Sequence, residues 1–149
     1  MPMSLLREKI VVSLDALTDE DIAAAARGAL EASGLTPGTQ AEAVPIVEAN
    51  LRWGIGALRT APTADLVKGA PYGGRGLRQE VWDEFDEDRE GIERGLRLLI
   101  LREEGEDFDT CSMDTYSEAS DACHEIMEAA ADHLFGPLAE AIVGISKLN

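Results

Sequence analysis

The sequence is poor in cysteine, aromatic residues and basic side chains, and its apolar runs are short. Two cysteines, Cys111 and Cys123, can form at most one disulfide and lack the density of a disulfide-stapled secreted scaffold. Apolar runs such as residues 98–101 fall far short of the ~20 residues that cross a bilayer. The first residues include Glu8 and Asp15 and lack a secretory signal pattern. We therefore expect a cytoplasmic protein with reduced thiols and no membrane partner.

Basic residues are outnumbered, with 13 lysines and arginines against 29 carboxylates and a net charge of −16. This charge repels nucleic-acid phosphates, so nucleic acid is not expected as a direct ligand, whereas basic protein surfaces and cations are. A salt-adapted cytoplasm would select the same acidic excess, and composition does not separate the two explanations. The 45% hydrophobic content over 149 residues predicts one folded domain spanning residues 1–149.

Apolar residues recur at intervals of three and four, which predicts an all-α, bundle-like array of five or six helices. The first stripe also contains the β-branched run 10–12, so residues 4–14 stay open between helix and strand. Thr18 is a predicted N-cap, because the acidic residues 19–21 follow it. A further helix is predicted over residues 39–59. Thr39 and Glu42 have capping-box spacing there, but Pro45 favours a later start or a kink.

Residues 60–76 form a predicted flexible, Gly-rich loop. One long helix should follow from Leu77 to Leu99, with a possible break at Asp88 and Gly91. Thr115 and Glu118 have capping-box spacing and open the next helix, which the sequence Gly136-Pro137 ends or bends before a last short helix. Gly91 and Gly95 share one helix face and leave a homo-oligomer possible.

The stretch GAPYGGRGLRQE, residues 69–80, resembles the outline of a phosphate-binding loop. It has arginine and glycine where that motif needs lysine and then serine or threonine, so a nucleotide site is not predicted. Lys68, Arg75 and Arg78 remain candidates for binding an anion near a helix N-terminus. The favoured alternative is a mobile loop whose cations pair with the chain's own carboxylates.

Two further segments invite comparison with metal sites. Residues 107–118 have acidic residues at three ligand positions of a calcium-binding EF-hand loop, but Cys111 and Ser112 stand where an oxygen ligand and a glycine belong. Asp121, His124 and Glu128 share one helical stripe, which could hold a divalent metal or place a histidine as a general base. The favoured explanation is a solvated polar face, and we keep the metal or catalytic role of this stripe as the alternative function.

The densest feature is the acidic segment, residues 80–109, with thirteen carboxylates, four arginines and a net charge of −9. Aromatic side chains among carboxylates are typical of anchors for a basic partner, although solubility alone also selects such charge. The sequence favours a non-enzymatic interaction protein, such as an inhibitor, a nucleic-acid mimic or an assembly subunit, with no cofactor. Its predicted acidic face consists of Glu80, Trp82, Asp83, Glu84, Phe85, Asp86, Glu87 and Asp88.

Overall fold

A computed structural model describes residues 3–147 of the chain. These residues form seven α-helices and one short 3-10 helix, joined by short connecting segments. The α-helices are α1 (Met3–Asp15), α2 (Asp19–Glu31), α3 (Pro37–Thr60), α4 (Thr63–Gly69), α5 (Gly74–Val81), α6 (Glu87–Glu103) and α7 (Met113–Ser146), and the 3-10 helix is Ala70–Tyr72. These residues contain no strand and pack into one compact domain, so the all-α class is confirmed. The expected number of five or six helices is slightly low.

The first two helices form where the apolar spacing places them. Residues 4–14, which the sequence left open between helix and strand, are helical in α1 and bury Leu6, Ile10 and Leu14. Thr18 caps α2 as predicted, because its side chain accepts a hydrogen bond from Asp21 N–H and the Asp21 carboxylate accepts one from Thr18 N–H. The reciprocal pair satisfies two N–H groups that lack partners at a helix start.

Helix α3 begins before its predicted start and continues through Pro45. Pro37 lies in its first turn, where a missing N–H removes no intrahelical bond. Pro45 is exposed, so water can hydrate the carbonyl that its ring leaves unpaired one turn earlier. The later start that Pro45 favoured is wrong, and Thr39 and Glu42 form no capping box, because Thr39 is a buried residue inside the helix.

The predicted Gly-rich loop at residues 60–76 is mostly helical, which corrects the sequence interpretation. It contains α4, the 3-10 helix and the start of α5. A Cβ on Gly74 would lie 2.2 Å from the carbonyl oxygen of Ala131 in α7, and a Cβ on Gly76 would lie 2.2 Å from the carbonyl oxygen of Gly69. These glycines therefore permit close contact between backbones. A sequence pattern does not separate that role from a turn, because both select a residue without Cβ.

The long helix predicted from Leu77 to Leu99 is divided at residues 82–86, ahead of the expected break. Asp86 caps α6 by accepting a hydrogen bond from Arg89 N–H at 3.0 Å, whereas Gly91 lies inside the helix. Phe85 has the spacing of the inward stripe, yet its side chain is 81% exposed. The break was not predicted because the apolar spacing continues past Asp86, as it would in an unbroken helix.

Helix α7 merges the last two predicted helices. Its N-cap is Ser112, whose side chain accepts a hydrogen bond from Thr115 N–H at 3.1 Å, so the predicted capping box of Thr115 and Glu118 is wrong. The helix passes through Pro137 and, with 34 residues, is about 51 Å long at 1.5 Å per residue. It contacts each of the other six α-helices and lies at the centre of the core.

No helix between residues 3 and 147 combines the length and the apolar character that crossing a bilayer requires.

Candidate interaction site

The predicted acidic face surrounds the short segment of residues 82–86 between α5 and α6. A buried arginine of α6 is hydrogen-bonded to the backbone of this segment. Arg89 is 1% exposed, and its Nε and Nη2 donate hydrogen bonds to the carbonyl oxygen of Asp83 at 3.2 and 2.9 Å. Its guanidinium lies 4.2 Å from the centre of the Trp82 ring, and its Nη1 pairs with the Glu93 carboxylate. The backbone and the aromatic ring of the segment are thus both attached to α6.

Asp86 connects this segment to α3. Its Oδ2 accepts a hydrogen bond from Trp53 Nε1 at 2.9 Å, while its Oδ1 accepts the capping bond from Arg89 N–H. These contacts stabilise the ionised carboxylate and lower the pKa of Asp86, with the Arg89 N–H as the larger cause. Asp86 therefore carries a negative charge and holds the segment against α3.

A cleft of about 550 Å³ opens between α3, α4 and the segment of residues 82–86. Its carboxylates are Asp65, Glu80, Asp83 and Asp86. Trp53 forms part of the wall. The one lining cation, Arg52, points its guanidinium at Asp19, 3.1 Å away. We call this site the acidic cleft.

A neighbouring depression of about 470 Å³ is lined by Glu84, Phe85, Asp86, Glu87, Glu90, Gly91 and Arg94. Asp86 lines both sites, so the acidic cleft and the depression adjoin along the segment of residues 82–86. The structure places six of the eight predicted partner-binding residues in these two sites. The other two lie elsewhere: Trp82 is half-buried against Arg89, and Asp88 is exposed in the first turn of α6.

The arrangement is suited to holding cations. Carboxylates beside an indole ring attract an ammonium or guanidinium group, whose aliphatic stem can pack on the apolar wall. The Phe85 ring, surrounded by carboxylates, offers apolar contact at the surface of the same segment. The combination matches the chemistry of lysine and arginine side chains on a folded partner.

The three residues predicted to bind an anion are not brought together as free cations. Arg75 donates from its Nε to Asp132 at 2.5 Å and from its Nη1 to Glu128 at 3.2 Å. The hydrogen bond that Arg75 donates to Asp132 is the main contact that raises the pKa of Arg75. Arg78 is buried and donates to Glu93, and Lys68 is exposed on α4. Arg75 and Arg78 thus pair with carboxylates of the chain, as the favoured alternative anticipated.

The stripe of Asp121, His124 and Glu128 does not converge on a common point. His124 Nε2 lies 2.8 Å from one oxygen of Glu128, and Arg75 occupies the other oxygen at 3.2 Å. Asp121 is exposed one turn earlier. Among residues 3–147, no group of three histidine, cysteine, aspartate or glutamate side chains could hold a metal ion, and this includes the acidic loop of residues 107–112.

The two cysteines have different environments. Cys123 is 2% exposed, and its thiol donates to the carbonyl oxygen of Glu93 at 3.5 Å. Burial raises the pKa of Cys123 to about 12, so this thiol is not an activated nucleophile. Cys111 is partly exposed in the loop before α7.

Sequence reasoning missed the buried cluster of Arg78, Arg89 and Glu93. Glu93 accepts a hydrogen bond from Arg78 Nη2 at 2.5 Å and pairs with Arg89 one helical turn away. A signal was present, because Arg89 and Glu93 fall on the same stripe as the buried Leu96 and Ile100. Charged residues on an apolar stripe indicate a buried ion pair when their signs are opposite and their spacing is four.

Comparison with protein-family models, with curated proteins and with solved structures finds no match to this chain.

Proposed function

We propose that this chain is a non-enzymatic interaction protein that binds a basic protein surface through the acidic face. The observation that carries the proposal is the acidic cleft, in which four carboxylates and the Trp53 ring adjoin the exposed Phe85. A lysine or arginine side chain of the partner enters this cleft, and Phe85 packs against an apolar patch beside it. The negative charge of the acidic face attracts the basic partner and speeds association, while the aromatic contacts slow its dissociation.

The anchoring of residues 82–86 supports docking without rearrangement. Arg89 fixes the carbonyl oxygen of Asp83, Trp53 fixes the carboxylate of Asp86, and Asp83 Oδ1 accepts a hydrogen bond from Phe85 N–H at 2.9 Å. A preformed site loses little conformational entropy when it binds, so more of the contact energy appears as affinity. In one form of the proposal, the partner is an enzyme or chromatin-type protein that binds nucleic acid, and this chain mimics that nucleic acid. In the other form, the partner is a basic subunit of an assembly.

The test is affinity capture with the immobilised chain, at low salt, from a lysate of the cells that produce it. Two variants with the same change in charge are compared. One neutralises four exposed carboxylates of the acidic face, Asp83→Asn, Glu84→Gln, Glu87→Gln and Asp88→Asn. The control neutralises four exposed carboxylates elsewhere, Glu8→Gln, Glu31→Gln, Glu118→Gln and Glu140→Gln.

We expect a specific partner that the native chain and the control retain and the acidic-face variant loses. Binding should weaken steeply as salt rises, because exposed charges are screened over about 8 Å at 0.15 M ionic strength. Competition by duplex DNA would identify a nucleic-acid mimic, and its absence an assembly subunit. Equal retention by both variants, or no partner at all, contradicts the proposal.

A further inference from the structure

A separate cavity, of about 440 Å³, lies where the end of α1, the start of α2 and the C-terminal half of α7 meet. Its apolar walls are formed by Leu14, Leu17, Leu134, Phe135 and Leu138. It shares no lining residue with the acidic cleft. Its volume falls within the range of about 300–1,000 Å³ that is typical of small-molecule sites.

The cavity exists because small side chains face it from two helices. Ala24 belongs to the alanine run at residues 23–26 of α2, and Ala141 follows Pro137 by one turn in α7. Leucine at either position would extend into the space that these alanines leave open. The alanine run thus lets α2 approach α7 elsewhere in the core while leaving a cavity at Ala24.

Three polar side chains, Ser13, Asp21 and His133, line the same cavity. Asp21 is the carboxylate among them. Its Oδ2 accepts the capping hydrogen bond from Thr18 N–H at 2.9 Å, and its Oδ1 can accept a bond from a ligand. Asp19 and Glu20 precede it in the first turn of α2 and pair with Arg52 and Arg27, so Asp21 supplies the negative charge at this end of the cavity.

We infer that this cavity binds a small hydrophobic amine, with its apolar body against the leucines and Phe135 and its ammonium group at Asp21. The apolar wall excludes a fully polar ligand, and the carboxylate of Asp21 disfavours an anionic head group. The imidazole of His133 lies against Gly28, two turns along α2 from Asp21. Gly28 and Asp21 are about 10 Å apart along α2 at 1.5 Å per residue, a span that suits an aliphatic chain.

The experiment measures binding of octylamine, octanol and octanoate to the purified full chain by calorimetry and by NMR shifts. These probes share one apolar chain and differ in the charge of the head group. We expect octylamine to bind saturably at one site, with octanoate at least about tenfold weaker, a difference of ~1.4 kcal/mol. Asp21→Asn should reduce octylamine affinity to that of octanol. Signals from Leu17, Ala24 and Phe135 should shift.

The control separates this cavity from general attraction of amines to an acidic protein. Ala24→Leu fills the cavity and keeps the net charge, so it should abolish octylamine binding, whereas Ala41→Leu, on the exposed face of α3, should leave it unchanged. Ala141→Leu serves as the second filling variant if Ala24→Leu lowers the melting temperature. Saturable binding that survives the filling, equal affinity for octanoate, or no saturable binding of octylamine overturns the inference.

Discussion

Arg89 connects α6 to the segment that carries the acidic face. Its guanidinium makes two hydrogen bonds to the carbonyl oxygen of Asp83, pairs with Glu93 and covers the Trp82 ring. Few side chains can satisfy a backbone carbonyl, a carboxylate and an aromatic face at once, and the planar fork of arginine does so. Lysine could make one of these contacts at a time.

We predict that Arg89→Met lowers the free energy of unfolding by about 3–5 kcal/mol, because it removes one partner from a buried ion cluster. The control is Arg102→Met on the same helix. Arg102 pairs with Glu42 at the surface, where such pairs contribute below about 1 kcal/mol. Urea denaturation measures both. Comparable losses for the two variants would show that burial of the Arg89 cluster contributes nothing.

Asp86 should give the fold a pH-dependent contribution. Its pKa in the folded chain is lowered by the Arg89 N–H and by Trp53, and these contacts are absent from the unfolded chain. Ionised Asp86 therefore stabilises the fold fully above the ordinary aspartate range, and the contribution is lost as pH falls through the lowered pKa. Asp86→Asn keeps a capping side chain but removes the charge.

We predict that Asp86→Asn is less stable than the native chain at neutral pH and that the difference shrinks towards acid. Denaturant unfolding at a series of pH values measures the difference directly. A carboxyl NMR titration should place the pKa of Asp86 below the ordinary range of aspartate. A stability difference that stays constant with pH would contradict the assignment.

Helices α4, α5 and α7 approach one another through glycine. Gly74 lies against the backbone of α7 at Ala131, and the backbones of Gly69 and Gly76 meet across the 3-10 helix. Such contacts bring the short α4 and α5 close to the core. These short helices gain their stability from packing, because helices of seven and eight residues are marginal in isolation.

We predict opposite effects for one substitution at two glycines. Gly74→Ala should destabilise the fold by more than about 3 kcal/mol, because its Cβ would overlap the Ala131 carbonyl and neither helix backbone can yield cheaply. Gly91→Ala in α6 should stabilise it by about 0.5–1 kcal/mol, since a Cβ there meets no atom within 4 Å. Thermal melting distinguishes the two, and equal effects would refute the packing role of Gly74.

Across the chain, the arginines are largely used within the fold. Surface pairs such as Arg27 with Glu20, Arg52 with Asp19 and Arg59 with Asp15 each compensate one carboxylate. A net charge of −16 thus leaves many carboxylates repelling one another. Salt screens this repulsion, which stabilises the fold, and also weakens the surface ion pairs, which destabilises it. Whether added salt raises or lowers the stability therefore shows which of the two effects is larger.

We predict that raising sodium chloride from about 20 mM to 0.5 M increases the melting temperature, by about 3 °C if roughly 1 kcal/mol of repulsion is relieved. The neutralised variants described for affinity capture should show a smaller increase, because each removes four charges. Calorimetric melts at each salt concentration make the measurement. A melting temperature that falls with salt would show that the ion pairs outweigh the repulsion.

The helical class and the N-cap of α2 can be predicted from the sequence because their causes are local. Apolar spacing defines which face of α1 or α2 is buried, and Thr18 with Asp21 forms its box within four residues. The acidic face was also predictable as a set of residues, since charge density needs no tertiary information. Its proposed binding role remains a prediction.

The division at residues 82–86, the roles of the glycines and the three surface cavities depend on contacts between distant residues. Trp53 and Asp86 are 33 positions apart, and Arg75 and Asp132 are 57 apart, yet each pair makes a hydrogen bond. Phe85 was predicted to be buried because its spacing fits the apolar stripe whether or not the helix continues. Gly74 was predicted to lie in a loop because a turn and a close backbone contact both select glycine. Packing against α3 and α7 selected the outcome, since burial and close backbone contact are properties of two chain segments together.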